Sequence, residues 1–375
     1  MFGIRKYKPI HNLPDMLEIE PTETCNLRCR MCHVSYMKMK KPPLLDVNIL
    51  KKLNCMKGKF VRIGSAFEPM IHPEFKEIIK WIIKNDCEME MVTNGTRLSR
   101  ENRSILADAR IHTLQMSFDG IRKETFENIR RRANYQEIID NILKTKSELV
   151  NKDTYFAINS TMMRSNMYEI PEIVRFWDQN GFDEIRFITM VIRDESSELL
   201  GESLYPIREE YFSLLDTAAE ELIRTRRKIA IRSPYYKNSP LHELYPDSFI
   251  EDTVVSENKL SRFVPLPHQK YQLGEFPGMP LPCRSPFTSA RILANGDVQL
   301  CYKFTVGNLH ESSFEDIWFG KNAHKIRKEL MKDSYHCNNC DHYRFCLHSR
   351  DIDIEDKSNY FQGNLMQYAE RAYVN

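Results

Sequence analysis

Ten cysteines stand in this 375-residue chain, and eight of them fall into two groups. The first is Cys25-Asn26-Leu27-Arg28-Cys29-Arg30-Met31-Cys32, a Cys-x3-Cys-x2-Cys array. Three thiolates within eight residues match the way iron–sulfur clusters are held. A structural zinc site usually completes four ligands, and no fourth cysteine lies nearby. His33 is the alternative fourth ligand, but it adjoins Cys32, and neighbouring side chains rarely point at one ion. The spacing therefore favours a [4Fe-4S] cluster with three cysteine ligands and one open iron, as a cluster needs if it is to bind a substrate. The second group, Cys283, Cys301, Cys337, Cys340 and Cys346, crowds the last quarter of the chain. Hairpin-borne cysteines and CxxC pairs also occur in zinc ribbons, so by spacing alone this group reads as zinc or iron–sulfur. Cys55 and Cys87 stand apart and read as small buried apolar residues.

Elements that would position the first array are legible around it. Strand candidates lie at 16–20, 60–65, 89–93, 113–118, 154–159 and 184–189. Between them apolar residues recur at helical spacing: Phe75, Ile78, Ile79, Ile82 and Ile83; then Ile138, Ile139, Ile142 and Leu143; then Ile170, Ile173, Val174 and Trp177. Pro171 falls at a helix start, where its missing N–H costs little. Six alternations predict parallel βαβ units with right-handed crossovers. They are too few for a closed eight-stranded barrel. The fold class expected is α/β, a partial (β/α)6 TIM-like barrel followed by a small C-terminal α+β cysteine-rich iron–sulfur domain. Residues 14–230 would form the core, 231–282 a proline-rich linker or substrate-facing loop, 283–350 the cysteine-rich domain and 351–375 a tail. A long amphipathic helix is expected over 206–228 and a hairpin turning at Asn295-Gly296 near Cys301.

Composition narrows the classes. Hydrophobic residues are 42% and charged residues 28%, the mix of a globular protein. Lys+Arg (54) against Asp+Glu (52) leaves +2, which argues against a nucleic-acid binder. No uncharged apolar run approaches the roughly 18 residues of a membrane span. The N-terminal stretch lacks the apolar core of a secretory signal. A cytoplasmic protein without membrane partners is expected, and in that compartment ten cysteines suggest metal or redox chemistry more than disulfides.

Cys25, Cys29 and Cys32 in the loop after the first strand of a βα barrel resemble the signature of radical S-adenosylmethionine (SAM) enzymes. Further segments carry the likeness over roughly residues 14–192. The stretch from Gly64 through Ser65, Ala66 and Phe67 to Glu68-Pro69 resembles the family's GGEP segment, which meets the methionyl amine of SAM; the two glycines are not in their usual places, but Glu68-Pro69 is. Thr93-Asn94-Gly95, Ser117-Phe118-Asp119-Gly120 and Asn159-Ser160-Thr161 also match. The resemblance implies that Asn94, Ser117, Asp119 and Asn159 contact the carboxylate and ribose of SAM, with Arg122 and Arg130 as partners for its methionyl carboxylate. Each segment alone would be an ordinary turn or helix cap; their order after successive strands is harder to dismiss. The resemblance further implies that an external reductant such as flavodoxin or ferredoxin feeds the cluster, and that SAM is cleaved to a 5′-deoxyadenosyl radical that removes a substrate hydrogen atom. The hard chemistry is the cofactor's; the protein supplies placement and excludes water.

The second group, together with Gly307-Asn308-Leu309 and Phe314 to Trp318, resembles the SPASM extension of radical SAM enzymes, which carries auxiliary [4Fe-4S] clusters. Full SPASM domains have seven cysteines for two clusters, whereas this chain has five, and Arg350 stands where the next would fall. One auxiliary cluster is therefore expected, as in the shorter twitch relatives, with Cys283, Cys301, Cys337 and Cys340 as ligands and Cys346 as a substitute or spare. Sulfatase-maturing relatives place a basic Asp directly after the hairpin cysteine; here that residue is Tyr302, which counts against that activity. Tyr302 and Cys346 remain the candidate catalytic side chains.

An auxiliary cluster gives a substrate radical a one-electron sink, so the expected reaction is a two-electron oxidation: dehydrogenation or oxidative bond formation on a small molecule, sugar or peptide. The alternative is redox-neutral epimerisation, with Cys55, Cys87 or the spare cysteine returning a hydrogen atom. A non-catalytic iron–sulfur or zinc scaffold is the alternative of another class. Only 24 residues precede Cys25, which leaves no room there for a leader-peptide domain and shifts the expectation toward a small molecule such as a sugar or aminocyclitol, or a peptide delivered by another protein. His33, Tyr36 and Met37 would wall the SAM site. Lys38, Lys40, Lys41 and the Arg130 to Arg132 run read as solvated surface, with contact to an anionic substrate as the alternative.

Overall fold

The computed structural model describes residues 10–37, 41–149, 153–190, 199, 201–204, 207–225, 229–233, 285–301 and 304–332. All six expected strands form: β1 (Met16–Ile19), β2 (Phe60–Ile63), β3 (Glu88–Thr93), β4 (Arg110–Ser117), β5 (Tyr155–Met162) and β6 (Glu184–Thr189). They run parallel, in chain order, in one sheet. Helices α1 (Phe75–Lys84), α2 (Arg100–Asp108), α3 (Lys123–Ile129), α4 (Tyr135–Glu148) and α5 (Ile170–Gln179) occupy the crossovers. Their apolar stripes are buried as the spacing predicts: Phe75, Ile78, Ile79 and Ile82 in α1, and Ile170, Ile173, Val174 and Trp177 in α5, with Pro171 in its first turn. A sixth helix, α6 (Arg208–Thr225), buries Tyr211, Leu215, Ala218 and Leu222 and packs on α5. Residues 226–228, the basic end expected for it, and most of 231–282 lie outside the described residues.

Two features go beyond the sequence expectation. A seventh parallel strand, β7 (Ala230–Arg232), pairs with β6; at three residues it is too short to show a period. The C-terminal hairpin strands β8 (Ser289–Ile292) and β9 (Asp297–Cys301), continued by β10 (Phe304–Asn308), join the same sheet, because β8 lies parallel against β1 with Met16 opposite Ser289 and Ile19 opposite Ile292. The sheet order is β10-β9-β8-β1-β2-β3-β4-β5-β6-β7, open at both ends among the described residues.

The hairpin turn differs in type from the expected two-residue Asn-Gly turn. Gly296 N–H donates to the Leu293 carbonyl (2.9 Å) and Leu293 N–H to that of Asp297 (2.9 Å), and only Gly296 takes positive φ (+86°). This is a three-residue loop with glycine in the left-handed position, whereas a two-residue turn would force Asn295 there as well. The cysteine-rich segment is fastened to the barrel from a second side. Trp318 Nε1 donates to the Asn12 carbonyl (2.9 Å), and the buried Arg327 of helix α7 (Lys321–Lys332) stacks on Trp318 while donating to the carbonyls of Pro286 and Trp318 (both 2.7 Å).

Period-two alternation gives the barrel two unlike faces. Leu17, Ile19, Val61, Ile63, Met89, Met91, Leu114 and Met116 point outward beneath the helices and are buried. The other parity points inward and is polar: Glu18 in β1, Arg62 in β2, Glu90 in β3, Gln115 in β4, Asn159 in β5, Arg186 in β6, Arg232 in β7 and Arg291 in β8.

Candidate active site

The Cys25 to Cys32 loop begins six residues after the C-terminal end of β1, the end where parallel α/β folds place their sites. Its backbone is tied to each neighbouring loop in turn. Glu68 N–H donates to the Thr24 carbonyl (3.2 Å), Arg28 N–H to that of Arg131 (3.0 Å) and Arg30 N–H to that of Ile129 (2.9 Å). Asn26 Nδ2 donates to Thr96 Oγ1 (2.8 Å), and Arg30 pairs with Glu202 (2.9 Å). These ties bring the segments after β2, β3 and β4 together around the thiols.

None of Cys25, Cys29 and Cys32 is in a disulfide; Cys29 is buried and the other two partly so. Leu27 N–H (3.4 Å) and Asn94 Nδ2 (3.5 Å) point at Cys25 Sγ, a donor pattern suited to a thiolate. Burial pushes the Cys29 thiol up to about 12 against the pull of Arg130, and burial raises Cys25 as well. Metal binding displaces such protons outright. Among the described residues no three His, Cys, Asp or Glu side chains converge on one metal-sized point. Three soft thiols spread around a loop suit a cuboidal cluster, in which each cysteine meets a separate iron, better than a tetrahedral zinc.

Glu68 is fully buried and accepts from Thr93 Oγ1 (3.0 and 3.1 Å), Asn94 N–H (2.7 Å) and Met70 N–H (3.1 Å). Burial raises its carboxyl to about 7 despite these donors. It thus pins the β2 loop to the β3 loop, and Pro69 opens the short turn that it caps. Gly64 takes φ +66°, and a Cβ there would stand 2.8 Å from the Pro69 ring, so this turn requires glycine. Asp119 and Arg130 form a buried ion pair (2.8 Å) beside Cys29, and Asp119 Oδ1 also accepts from Thr161 N–H (2.7 Å). Arg130 is therefore an internal brace, not the solvated surface residue its place beside the exposed Arg131 and Arg132 suggested. Burial opposes its charge, but Asp119 and then Cys29 pull its pKa upward. Arg122 instead lies exposed against Glu172 (3.3 Å). Ser117 ends β4 on the inward face, opposite Asn159.

Asn159 Nδ2 donates to Gln115 Oε1 (2.9 Å), while its Oδ1 is buried without a partner among the described residues, an acceptor that a ribose hydroxyl of SAM would satisfy. With the three thiols of Cys25, Cys29 and Cys32, this donor set fits a SAM-binding cluster. Tyr36 hydroxyl donates to the Arg30 carbonyl (2.7 Å) and closes the cysteine loop on itself, and the His33 ring meets Phe67 edge-on at 6.1 Å. Cys55 and Cys87 sit away from this end: Cys55 on the 3₁₀ helix Val47–Met56, and Cys87 buried before β3 with its thiol toward the Met56 carbonyl (3.4 Å). Cys283, Cys337, Cys340, Cys346, Tyr302, Lys38 and Lys40 lie outside the described residues.

Below the cysteine loop a charged belt crosses the barrel interior, and the sequence reading passed over it. Arg291 bridges Glu18 (2.7 Å) and Glu20 (2.9 Å); Arg62 lies between Glu18 (3.8 Å) and Glu90 (3.2 Å); Gln115 donates to Glu90; and Glu184 holds Arg186 (2.8 Å) and Arg232 (2.6 Å). The signal was available, as charged residues at every second position of otherwise apolar strands. Burying ion pairs is often less favourable than packing apolar side chains, so a belt of them is weak as stabilisation and gives the barrel a polar interior. Cys301 shares the inward parity of β9 with Gln299, and Gln299 stands opposite Arg291. The antiparallel register carries Cys301 toward the Ser289 and Met16 end, away from the Cys25 loop. The belt lies between the two.

Comparison with known proteins agrees with this geometry. The Radical SAM superfamily model matches residues 19–185, and the SPASM model, an iron–sulfur cluster-binding domain, matches residues 283–341. The chain is 23% identical over 318 residues to the tungsten-containing aldehyde ferredoxin oxidoreductase cofactor-modifying protein of Pyrococcus furiosus, covering 80% of each. It is 28% identical over 185 residues to the GTP 3′,8-cyclase of Chlorobaculum tepidum, 47% of this chain and about half (53%) of the cyclase. Streptococcus suis SuiB bound to S-adenosylmethionine superposes with a TM-score of 0.59 at 16% identity, covering 88% of this chain and 71% of SuiB. Native anSMEcpe with bound AdoMet gives 0.57 at 15% identity, covering 95% of this chain and 98% of anSMEcpe. The two domains imply SAM, a [4Fe-4S] cluster and auxiliary iron–sulfur centres. The chain is an enzyme of the radical SAM superfamily, with a SPASM iron–sulfur cluster-binding domain after its barrel.

Proposed function

We propose that this enzyme is an oxidoreductase that removes two electrons from a substrate held in the barrel interior. Cys25, Cys29 and Cys32 hold the SAM-binding cluster, and Cys301 with Cys283, Cys337 and Cys340 holds a single auxiliary [4Fe-4S] cluster, with Cys346 as a substitute or spare. When bound, these groups supply a 5′-deoxyadenosyl radical at one end and a one-electron acceptor at the other. The protein's residues do the positioning. Glu68, Pro69 and Asn94 shape the SAM loop, with Asn159 Oδ1 and Ser117 facing the cofactor from the inward parity. Asp119 and Arg130 brace the loop behind Cys29, and the polar belt seats the substrate. The carrying observation is the placement of Cys301 on the inward parity of a strand in the barrel's own sheet, at the end remote from the Cys25 loop. Epimerisation gains less support, because Cys55 and Cys87 are both remote from the chamber.

The substrate class is a small molecule, sugar or peptide, with a low-potential protein such as flavodoxin or ferredoxin as reductant. SuiB is known bound to its precursor peptide SuiA, and the Pyrococcus relative is a cofactor-modifying protein, so both kinds of substrate occur among the proteins this chain resembles. The test is anaerobic turnover of a metabolite and peptide extract in deuterated water with SAM and dithionite, followed by mass spectrometry. A product lighter by two hydrogens, absent with Cys301→Ala, is expected. A product whose only change is one solvent deuteron would overturn oxidation in favour of epimerisation.

A further inference from the structure

The Glu20 carboxylate is used on one side only. Its Oε1 accepts from Ser65 N–H (3.1 Å), Ser65 Oγ (2.7 Å), Ala66 N–H (3.1 Å) and Arg291 Nη2 (2.9 Å). Its Oε2 is buried and accepts from nothing among the described residues. Buried polar atoms are almost always hydrogen-bonded, and one that is not calls for an explanation. Four donors on one oxygen fix the carboxylate in place and leave the other as a preset acceptor. Glu20 continues the inward parity of Met16 and Glu18, five residues before Cys25, and it holds the Ser65-Ala66 turn that leads to Glu68. Burial and then the neighbouring Glu18 charge raise its carboxyl against the pull of Arg291 and Ser65, and a cationic donor arriving at Oε2 would offset both by favouring the ionised form.

The polarity of the unmet group is informative. Arg62, Arg186, Arg232 and Arg291 are each paired with a carboxylate of the belt. The guanidinium charges of the interior are therefore matched, although Arg186 Nε donates no hydrogen bond among the described residues, while the open oxygen of Glu20 belongs to a carboxylate. That suits a ligand bringing donors better than one bringing phosphates.

We propose that Glu20 Oε2 is a recognition site for a hydrogen-bond donor, an ammonium or hydroxyl group, on the molecule held in the barrel interior. This rests on the interior being the reaction chamber. Two molecules could bring that donor: SAM through its methionyl ammonium, or an amine- or polyol-type substrate.

Isothermal titration of the full-length, anaerobically reconstituted protein separates the two. Wild type, Glu20→Gln and Glu20→Asp are titrated with SAM and then, at saturating SAM, with streptamine, a probe carrying both ammonium and hydroxyl groups. Glutamine keeps the size but removes the charge, and aspartate keeps the charge but withdraws the oxygen by one methylene. Loss of a charge-assisted hydrogen bond predicts at least about tenfold weaker binding of one probe by Glu20→Gln. A loss for SAM assigns the donor to the cofactor, and a loss for streptamine alone assigns it to the substrate. Affinities unchanged within about twofold for both probes, at unchanged iron content, would overturn the proposal. If Glu20→Gln fails to load iron, the same criterion is applied to Glu20→Asp. Iron content and 5′-deoxyadenosine formation by wild type report separately on the radical SAM reading.

Discussion

Arg130 and Asp119 are single residues that act on this site through one buried contact. Their ion pair is buried, and it stands behind Cys29. Removing one partner leaves a buried charge uncompensated, so Arg130→Met should destabilise the protein by about 3–5 kcal/mol in urea titrations. The double variant with Asp119→Leu should recover much of that loss; a double variant as unstable as the single would show that the pair is not the cause. Glu184 makes the complementary case in the belt. Burial opposes its ionisation, but Arg186 and Arg232 outweigh it and hold its carboxyl below the ordinary 4.5. A depressed pKa contributes stability above the unfolded value and loses it as pH falls through the folded one. Wild type should therefore exceed Glu184→Gln in stability at pH 7, and the gap should narrow steadily below about pH 4.5. A gap that widened on acidification would contradict the assignment.

At the scale of elements, the loops after β1, β2 and β3 behave as one unit, held by Glu68 and by the turn at Gly64. A Cβ at Gly64 would meet Pro69 at 2.8 Å with the backbone at φ +66°. Gly64→Ala should therefore cost about 1–3 kcal/mol of strain and weaken SAM binding several-fold, with iron content preserved. Unchanged SAM affinity would mean that the turn does not set the cofactor loop. These elements also show what the sequence disclosed. All six barrel strands and the apolar faces of α1 and α5 were legible because their patterns are local: period two in strands, 3.6 in helices. The thiol array and the strand-end segments were legible for the same reason, as contiguous motifs. The pairing of β8 with β1 was not, since it joins residues 273 positions apart, as Met16 and Ser289 are, and no local pattern encodes it. Arg130 was misjudged as surface because an Arg-Arg-Arg run looks solvated until Asp119 is brought to it by the fold. The belt was visible residue by residue, but its meaning depends on which parity faces inward.

For the whole molecule, the decisive feature is continuity. The strand that carries Cys301 belongs to the same ten-stranded sheet as the strands beneath the Cys25 loop, so one sheet fixes the two cysteine-bearing segments relative to each other. No helix among the described residues is long and apolar enough to cross a membrane. The most direct test is to reconstitute wild type, Cys29→Ala and Cys301→Ala without oxygen, count iron and sulfide, and assay 5′-deoxyadenosine with SAM and dithionite. Wild type should hold about eight irons and form 5′-deoxyadenosine, each variant should hold about four, and only Cys301→Ala should still cleave SAM. SAM cleavage that survives in Cys29→Ala, or that wild type never performs, would contradict the account.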